Sequence, residues 1–310
     1  MEFYQIKYFC SIYENKSFSK AASIVHVSQP ALSKCIEKME REFGTPLFQR
    51  STRTIDLTDA GAILYAYGKQ MLNLKSSMDG AISELVNPAE VEIHVGMSPF
   101  YSKHYLPSIL RVVNKQFPNI SLVMVECISE EQEGLLKSGE LDFSCIPKEP
   151  EIPELSYEPI CMEEILLAIP PQSPLNQFAI PATPIPFLDS KHINGQKLVT
   201  LKPIQKFSKL LAPWMESLNL KCPIAYETLD WDMVDLMVGN GVGIGFVPDI
   251  LCTEKQDSQS PNYYRTMNKS FLRCYSIAYK SGKTFTGLQR HLISLFKSSI
   301  QDFRRKNILL

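Results

Sequence analysis

The stretch SFSKAASIVHVSQPALSKCIEKMEREFGTPLFQRSTRTIDLT, residues 17–58, decides the N-terminal fold of this chain. Ser17 and Ser28 each precede a helical pattern, where a serine hydroxyl can accept a bond from a free backbone N–H. Pro30 falls in the first turn of the second helix, where a missing N–H breaks no helical bond. Because positions 26–27 alone separate the two patterns, the helices must cross closely, as in a helix-turn-helix.

The second helix has an apolar face and a polar face. Its apolar residues recur at helical spacing and are predicted to pack inward: Leu32, Ile36, Met39 and Phe43. Its exposed N-terminal end carries side chains suited to base edges and phosphates: Ser28, Gln29, Pro30, Ser33 and Lys34. We expect Gln29, Pro30 and Ser33 to read bases, with Pro30 making an apolar contact. Ser28 and Lys34 are expected to hold the DNA backbone.

A basic hairpin follows this helix. Gly44 and Pro46 end the helix, and two short apolar segments, 47–48 and 55–57, flank a polar connection. This pattern predicts a two-stranded wing. The residues of the wing tip that we expect on phosphates or in the minor groove are Arg50, Thr52 and Arg53.

Taken piece by piece, these features also allow an ordinary three-helix packing motif with a solvated face. Taken together, their order resembles the N-terminal pattern of the LysR-type transcriptional regulators. The matching residues are Phe18, Ala21, Ala22, the run 27–33, Glu40, Gly44, Leu47, Phe48, Arg50, Leu57, Thr58, Ala60 and Gly61. The resemblance implies a sequence-specific DNA-binding regulator that is controlled by a small-molecule effector and acts on RNA polymerase.

A long helix is predicted after the wing, with Thr58 as its cap and Asp59 in its first turn. Its apolar residues form a heptad seam over about three repeats, with Ala81 or Ile82 filling one gap: Leu64, Tyr67, Met71, Leu74, Met78 and Leu85. Such a helix could pack on its own domain. The resemblance instead implies a linker helix that pairs two subunits on a pseudo-palindromic promoter site. The sequence supports at least a homodimer, and the resemblance implies a homotetramer.

The remaining chain alternates strands and helices, which is the pattern of a parallel α/β sheet. A first block runs from Val91 to about Ile146, and a second begins with a strand around 165–169. The fold class is therefore α+β multidomain, with an N-terminal winged helix-turn-helix, a long linker helix and a C-terminal α/β effector domain of two subdomains. That domain resembles periplasmic binding proteins.

The predicted domain boundaries follow from these patterns. Residues 1–58 form the DNA-binding domain, 59–88 the linker helix and 89–310 the effector-binding domain. Within the last, subdomain I covers about 89–165 plus 269–310, and subdomain II about 166–268. The return of the chain to subdomain I is implied by the resemblance alone.

The expected effector site lies beyond the carboxyl ends of the predicted strands, where ligands bind in open parallel sheets. The residues at these ends are Ser98, Pro99, Phe100, Ile128, Ser129, Ile146, Thr200, Phe246 and Val247. A cleft lined by Ser98, Ser129 and Thr200 coincides with the place where the resembled family binds coinducers. Each hydroxyl could instead be a helix cap without a ligand. The apolar wall and a few nearby cations favour a small organic anion with an aromatic body. Those cations are Lys103, His104 and Lys202.

Composition limits the other classes of function. A net charge of -1 means that any DNA contact depends on local clusters of lysine and arginine. No apolar run is long enough for a membrane span and the N-terminus lacks a signal-peptide pattern, so we expect a cytoplasmic protein without a membrane partner. No nucleophile elbow, H-E-x-x-H or P-loop motif is present. We therefore expect no enzyme activity, no metal and no cofactor.

Two alternatives stay open. The first is a cytosolic small-molecule-binding protein of the transport type, against which the DNA-binding head argues. The second is a redox-sensing regulator that uses some of the chain's 8 cysteines. These cysteines are scattered, with no C-x-x-C pair, and buried reduced thiols are the simpler interpretation.

Overall fold

The structure, a computed structural model, describes residues 1–49, 55–86, 92–252, 259–267 and 269–308. The chain divides into two compact units. The first comprises Met1–Val91 and Ser138–Glu140, and the second comprises Glu92–Lys137 and Leu141–Leu310. No helix within the described ranges is long and apolar enough to cross a membrane.

The first unit contains four helices in its described residues, and the predicted caps position the helix-turn-helix. The helices are α1 (Phe3–Asn15), α2 (Phe18–Ile24), α3 (Gln29–Phe43) and α4 (Asp59–Val86). The Ser17 hydroxyl accepts from the Lys20 N–H at 3.3 Å, and the Ser28 hydroxyl accepts from the Ala31 N–H at 3.4 Å. Gly44 ends α3 in the left-handed conformation, at φ 69°.

The core of the first unit lies between α1, α2 and α3. The small residues Ala21 and Ala22 are buried at the helix crossing, as the short turn requires. Leu32, Ile36 and Met39 are buried as predicted, but Phe43 is 45% exposed, so its predicted inward packing is wrong. Phe43 is the last residue of α3, where the helix has already run past the core.

An antiparallel bridge between Phe48 and Leu57 forms the base of the hairpin. The Gln49 N–H donates to the Asp56 carbonyl at 2.8 Å, which fixes the pairing. The predicted wing-tip residues Arg50, Thr52 and Arg53 lie outside the described residues.

The second unit contains ten strands and five α-helices in its described residues. The strands are β1 (Glu92–Met97), β2 (Ser121–Glu126), β3 (Phe143–Pro147), β4 (Leu155–Ile169), β5 (Phe187–Leu188), β6 (Leu198–Leu201), β7 (Ile224–Thr228), β8 (Ile244–Pro248), β9 (Asn262–Thr266) and β10 (Phe271–Lys280). The helices are α5 (Pro99–Gln116), α6 (Ser129–Ser138), α7 (Lys206–Ser217), α8 (Trp231–Gly239) and α9 (Gly287–Asn307).

One sheet joins both halves of this unit, in the order β2-β1-β3-β10-β4-β8-β6-β7. At one end of this order lie the parallel strands β2, β1 and β3, followed along the chain by α5 and α6; at the other lie β8, β6 and β7, with α7 and α8. We refer to these halves as subdomain I and subdomain II, and α9 packs on α5. The antiparallel pair β4 and β10 runs between them. The fold class predicted from the sequence is confirmed.

Two elements are longer than the sequence pattern indicates. We expected a strand only around 165–169, but β4 begins at Leu155, because its first half pairs with β10 and its second half with β8 and β9. The helical pattern after the first strand becomes clear only at Leu106, but α5 begins at Pro99 and continues through Pro107. A proline at the first helical position is favourable, and it extends the helix to the end of β1.

Candidate nucleic-acid interface and effector cleft

The N-terminal end of α3 presents the predicted base-reading group to solvent. Ser28, Gln29, Pro30 and Lys34 are exposed, and Ser33 is half-buried beside them. An exposed helix N-terminus with short polar side chains can enter a DNA major groove. The structure therefore brings these predicted residues together on one end of one helix.

The side chain of Gln29 is held by the preceding helix. The Ser19 hydroxyl donates to Gln29 Oε1 at 2.9 Å, which turns the amide nitrogen of Gln29 away from α2. Ser19 was not among the predicted residues, since a helix-to-helix side-chain bond leaves no periodic signal in the sequence. Gln29 in this orientation offers a hydrogen-bond donor to an acceptor on a base edge.

Glu40 ties α3 to the hairpin. Its Oε1 accepts from the backbone N–H groups of Leu47 and Phe48, at 2.7 and 3.4 Å. The Phe48 ring packs against Phe9, with centroids 5.0 Å apart. The start of the wing is therefore fixed to the helix that carries the base-reading group.

The helix α4 exposes a stripe of large apolar side chains, which we call the α4 stripe. It consists of Ile63, Tyr67, Met71, Leu74, Met78 and Ile82. Leu64, predicted to start the seam, is instead buried in the core of the head. The side chains of Ala81 and Leu85, also predicted on the seam, lie outside the described part of the helix. Exposed apolar residues at coiled-coil spacing indicate a helix that packs against a partner.

In the second unit, the predicted effector residues fall into two groups. Ser98 precedes α5 and makes no side-chain cap bond, and Ser129 is the first residue of α6. Because β1 and β2 are parallel neighbours, both serines lie at the same end of these strands. Ile128 is half-buried and Pro99 exposed beside them. The Phe100 ring lies 6.4 Å from the Trp231 ring across the cleft, centroid to centroid.

The second group is part of the hydrophobic cores. Ile146 is 1% exposed and packs in a cluster with Leu155, while Phe246 packs edge-on against Trp214 with ring centroids 5.3 Å apart. Val247 and Thr200 are also buried. Their place in the effector site stays a prediction.

Charged side chains bridge the two subdomains. Lys103 of α5 donates to Asp232 of α8 at 2.7 Å, and Lys209 of α7 lies 3.3 Å from Glu130 of α6. Burial acts to raise the pKa of Asp232, but the nearby His104 and Lys103 side chains outweigh it and the pKa falls below its ordinary value. A third, buried pair joins Lys206 of α7 to Glu133 of α6.

A buried network lies behind the cleft on β4 and β10. The Tyr101 hydroxyl contacts Glu163 Oε1 at 2.6 Å, and Arg273 Nη2 donates to the same hydroxyl at 2.6 Å. Arg273 also forms an ion pair with Glu163, and its guanidinium carbon lies 5.7 Å from the Trp231 ring centroid. Since Glu163 and Arg273 are almost fully buried, each charge depends on the other.

Sequence reasoning missed Lys206 and Arg273, although both are cations near the predicted site. Lys206 lies four residues after the expected loop residue Lys202, and only the start of α7 brings it inward. Arg273 lies in a continuous buried run of β10, and the structure pairs it across the strands with Glu163. The strand register, which the sequence does not specify, was the missing information.

The cysteines are all described, and all are free thiols: Cys10, Cys35, Cys127, Cys145, Cys161, Cys222, Cys252 and Cys274. Burial raises the pKa of Cys10, Cys161 and Cys252 to about 12, and that of Cys127 to about 11. A raised pKa leaves little thiolate, which is the reactive form of cysteine.

Two family models match the chain. Residues 3–62 match the bacterial regulatory helix-turn-helix protein, lysR family, and residues 87–300 match the LysR substrate binding domain. Similar curated proteins include the hydrogen peroxide-inducible genes activator of Haemophilus influenzae, 23% identical over 97% of this chain and 98% of that protein. The probable cat1 operon transcriptional activator of Acinetobacter lwoffii is 27% identical over 64% of each chain.

Solved structures share the fold. A full-length OxyR variant from Pseudomonas aeruginosa is 21% identical, with a TM-score of 0.70 over 97% of this chain and 98% of that one. Full-length CbnR complexed with its target DNA is 21% identical, with a TM-score of 0.62 over 98% of this chain and 100% of that one. With both domain models matched in order, the chain belongs to the LysR family of transcriptional regulators.

Proposed function

We propose that this regulator pairs through α4, reads a pseudo-palindromic promoter site with two heads, and responds to a small organic effector bound between its subdomains. It acts in the cytoplasm through contact with RNA polymerase, as a homodimer or a homotetramer. Effector control is supported most directly by the arrangement of the second unit. The strands β4 and β10 form a hinge between the two subdomains, and three charged side-chain pairs bridge the cleft between them.

The hinge gives the effector a way to act. Only β4 and β10 run centrally between the subdomain sheets in the strand order of the described residues, so a small change in their twist reorients one subdomain against the other. An effector that binds one arrangement more tightly shifts the population toward it. In a multimer this changes the spacing of the paired heads and the bend of the promoter.

Footprinting on a bound genomic fragment, with and without effector, tests this mechanism. We expect the effector to change the protected length or the pattern of enhanced cleavage that marks a bend. An unchanged footprint and bend at saturating effector would refute effector control.

The residues of the head are expected to divide their roles. Replacing Gln29 with alanine should relax base choice at one position of each half-site, costing about 1–3 kcal/mol of discrimination. Replacing Lys34 with alanine should weaken binding to all sites alike and reduce the salt dependence by about one unit of slope. The same backbone-contacting role as that of Lys34 is proposed for Arg50, Thr52 and Arg53. Ser28 is proposed to hold phosphate, and Pro30 and Ser33 to contact bases.

Binding-site selection with each variant and salt titration on one operator measure both effects. Ser23→Ala is the matched control, because the Ser23 hydroxyl bonds only to the Ser19 carbonyl of its own helix, at 3.2 Å. Identical changes in base preference for the Gln29 and Lys34 variants would contradict the proposed division.

Redox sensing is the second candidate function, because several similar proteins are named hydrogen peroxide-inducible genes activators. The thiols of this chain argue against it. Cys145 is fully buried, and burial raises its pKa well above the ordinary value. Burial also raises the pKa of Cys222 and Cys35, which are less enclosed.

Peroxide treatment tests this alternative directly. We expect non-reducing mass spectrometry to find the thiols unchanged after brief exposure to peroxide, with the footprint unaltered, because thiolate is scarce at neutral pH. A variant that lacks every cysteine should keep its effector response. A disulfide that forms quickly and shifts the footprint would favour the redox function instead.

A further inference from the structure

One of the ion pairs that bridge the two subdomains is buried. Lys206 is the first residue of α7 and is 6% exposed, and its partner Glu133, on α6, is 4% exposed. Lys206 Nζ also lies 3.4 Å from the carbonyl oxygen of Pro150, in the loop after β3. An ammonium group therefore occupies the place beyond the strand ends where ligands of such sheets bind.

This pair differs from the other two bridges. The side chains of Lys209 and Lys103 are 59% and 64% exposed, and exposed pairs contribute little to stability. Lys206 and Glu133 are both removed from water, and a buried pair repays that cost only with further hydrogen bonds. Burial raises the pKa of Glu133 despite its bond to Lys206.

The surroundings favour an anion over a cation. Helices α5, α6 and α7 all begin at this end of the strands, and helix N-termini carry partial positive charge. The Ser98 hydroxyl makes no cap bond to α5, which leaves it available as a donor. The buried Arg273 guanidinium lies 5.6 Å from the Phe207 ring centroid, but its charge is balanced by Glu163, so the preference for an anion rests on Lys206 as the cation.

The walls next to Lys206 are aromatic. Phe207 follows it in α7 and packs on Trp231 with ring centroids 4.4 Å apart. Phe100 lies beyond Trp231, and His104 packs on Phe100 at 4.9 Å. A ligand held at Lys206 would therefore have the edges and faces of aromatic rings near its remaining atoms.

We propose that Lys206 is the anion anchor of the effector cleft, that Glu133 occupies this anchor when effector is absent, and that the effector is a small organic carboxylate with an apolar body. The inference rests on the proposed function, which places the effector in this cleft. Binding exchanges one carboxylate for another on Lys206. Glu133 then no longer binds Lys206, so the ion pair between α6 and α7 is lost and the subdomains can change their arrangement.

Chemical rescue of the full-length protein tests the anchor. Glu133→Gln removes the internal carboxylate and leaves Lys206 buried without a counter-ion. We expect acetate or benzoate to raise the Tm of this variant by about 5 °C over sodium chloride of equal ionic strength, and more than acetamide or benzamide does. Wild-type protein should gain less, because Glu133 competes with the added carboxylate. Benzoate should act at lower concentration than acetate because of the aromatic walls.

Matched variants make the result specific. Glu130→Gln, which removes the exposed neighbouring pair, should show no rescue, and Lys206→Met should lose the benzoate response of the Glu133→Gln background. If Glu133→Gln is too unstable to purify, Glu133→Ala takes its place in the Tm measurements. Calorimetric titration of the wild-type protein then compares the binding of benzoate with that of benzylamine. Tighter binding of benzylamine than of benzoate would overturn the proposal.

The anchor would also be refuted if neither carboxylate surpassed its amide in any of these proteins. Selection of genomic DNA by the same protein separates this failure from failure of the proposed function. Enriched promoter fragments without carboxylate rescue would reject Lys206 as the anchor and leave the regulator intact.

Discussion

Replacing Leu74 with glutamate should convert the protein from a dimer or larger assembly into a monomer and weaken operator binding about a hundredfold or more. Leu74 is 73% exposed at the centre of the α4 stripe. In a helix pair it becomes a buried knob, and a carboxylate there would have to lose its water. With pairing lost, each head binds its half-site alone, without the gain of linked binding.

Sedimentation and fluorescence anisotropy with an operator duplex measure both effects. Ala66→Glu adds the same charge to an exposed position of α4 that lies off the stripe, so it should leave assembly and affinity near the wild-type values. If Leu74→Glu kept the wild-type mass and affinity, α4 would not be the pairing helix.

Replacing Arg273 with methionine should lower the stability of the second unit by about 3–5 kcal/mol, because Glu163 would remain as a buried charge with the Tyr101 hydroxyl as its main partner. That loss corresponds to a fall in Tm of roughly 6–20 °C. Differential scanning calorimetry of the full-length protein measures it.

A surface pair provides the comparison. Arg290 bonds Glu158 at 3.1 Å with its side chain 54% exposed, so Arg290→Met should cost about 1 kcal/mol or less. Replacing both Arg273 and Glu163 with apolar residues should restore part of the loss, since no charge is then left unpaired. A Tm for Arg273→Met within about 2 °C of the wild-type value would show that the pair does not hold the hinge strands together.

The head could be predicted from the sequence because its signals are local. The serines before α2 and α3, Pro30 in the first turn and the glycine after Phe43 each act within a few residues, and their caps are present in the structure. The exposure of Phe43 could not be predicted, because helical spacing continues to the end of α3 while the core beneath it does not.

The effector cleft could be predicted only in part. Strand ends identified Ser98 and Ser129, because a βα connection places such residues by topology alone. The pairs that cross the cleft join residues far apart in the chain, as in Lys206 with Glu133. Local patterns carry no information on which helices face each other, so the buried cations near the site were missed.

For the linker helix α4, the burial of its side chains answers a question that its heptad spacing left open. The heptad spacing left open whether α4 packs on its own domain or on a second copy. Leu64 packs in the core of the head, whereas the side chains from Tyr67 to Ile82 on the stripe are exposed. The first turns of α4 therefore belong to the head, and the later turns offer the pairing surface.

Selection of genomic DNA fragments by the purified full-length protein tests the central claim most directly. A paired reader of promoters should enrich a small set of fragments that share an inverted repeat, with half-sites about one helical turn or a multiple of it apart. The same repeat should disappear from the Leu74→Glu selection. Fragments recovered without any shared sequence, at the frequency of the input DNA, would contradict the account.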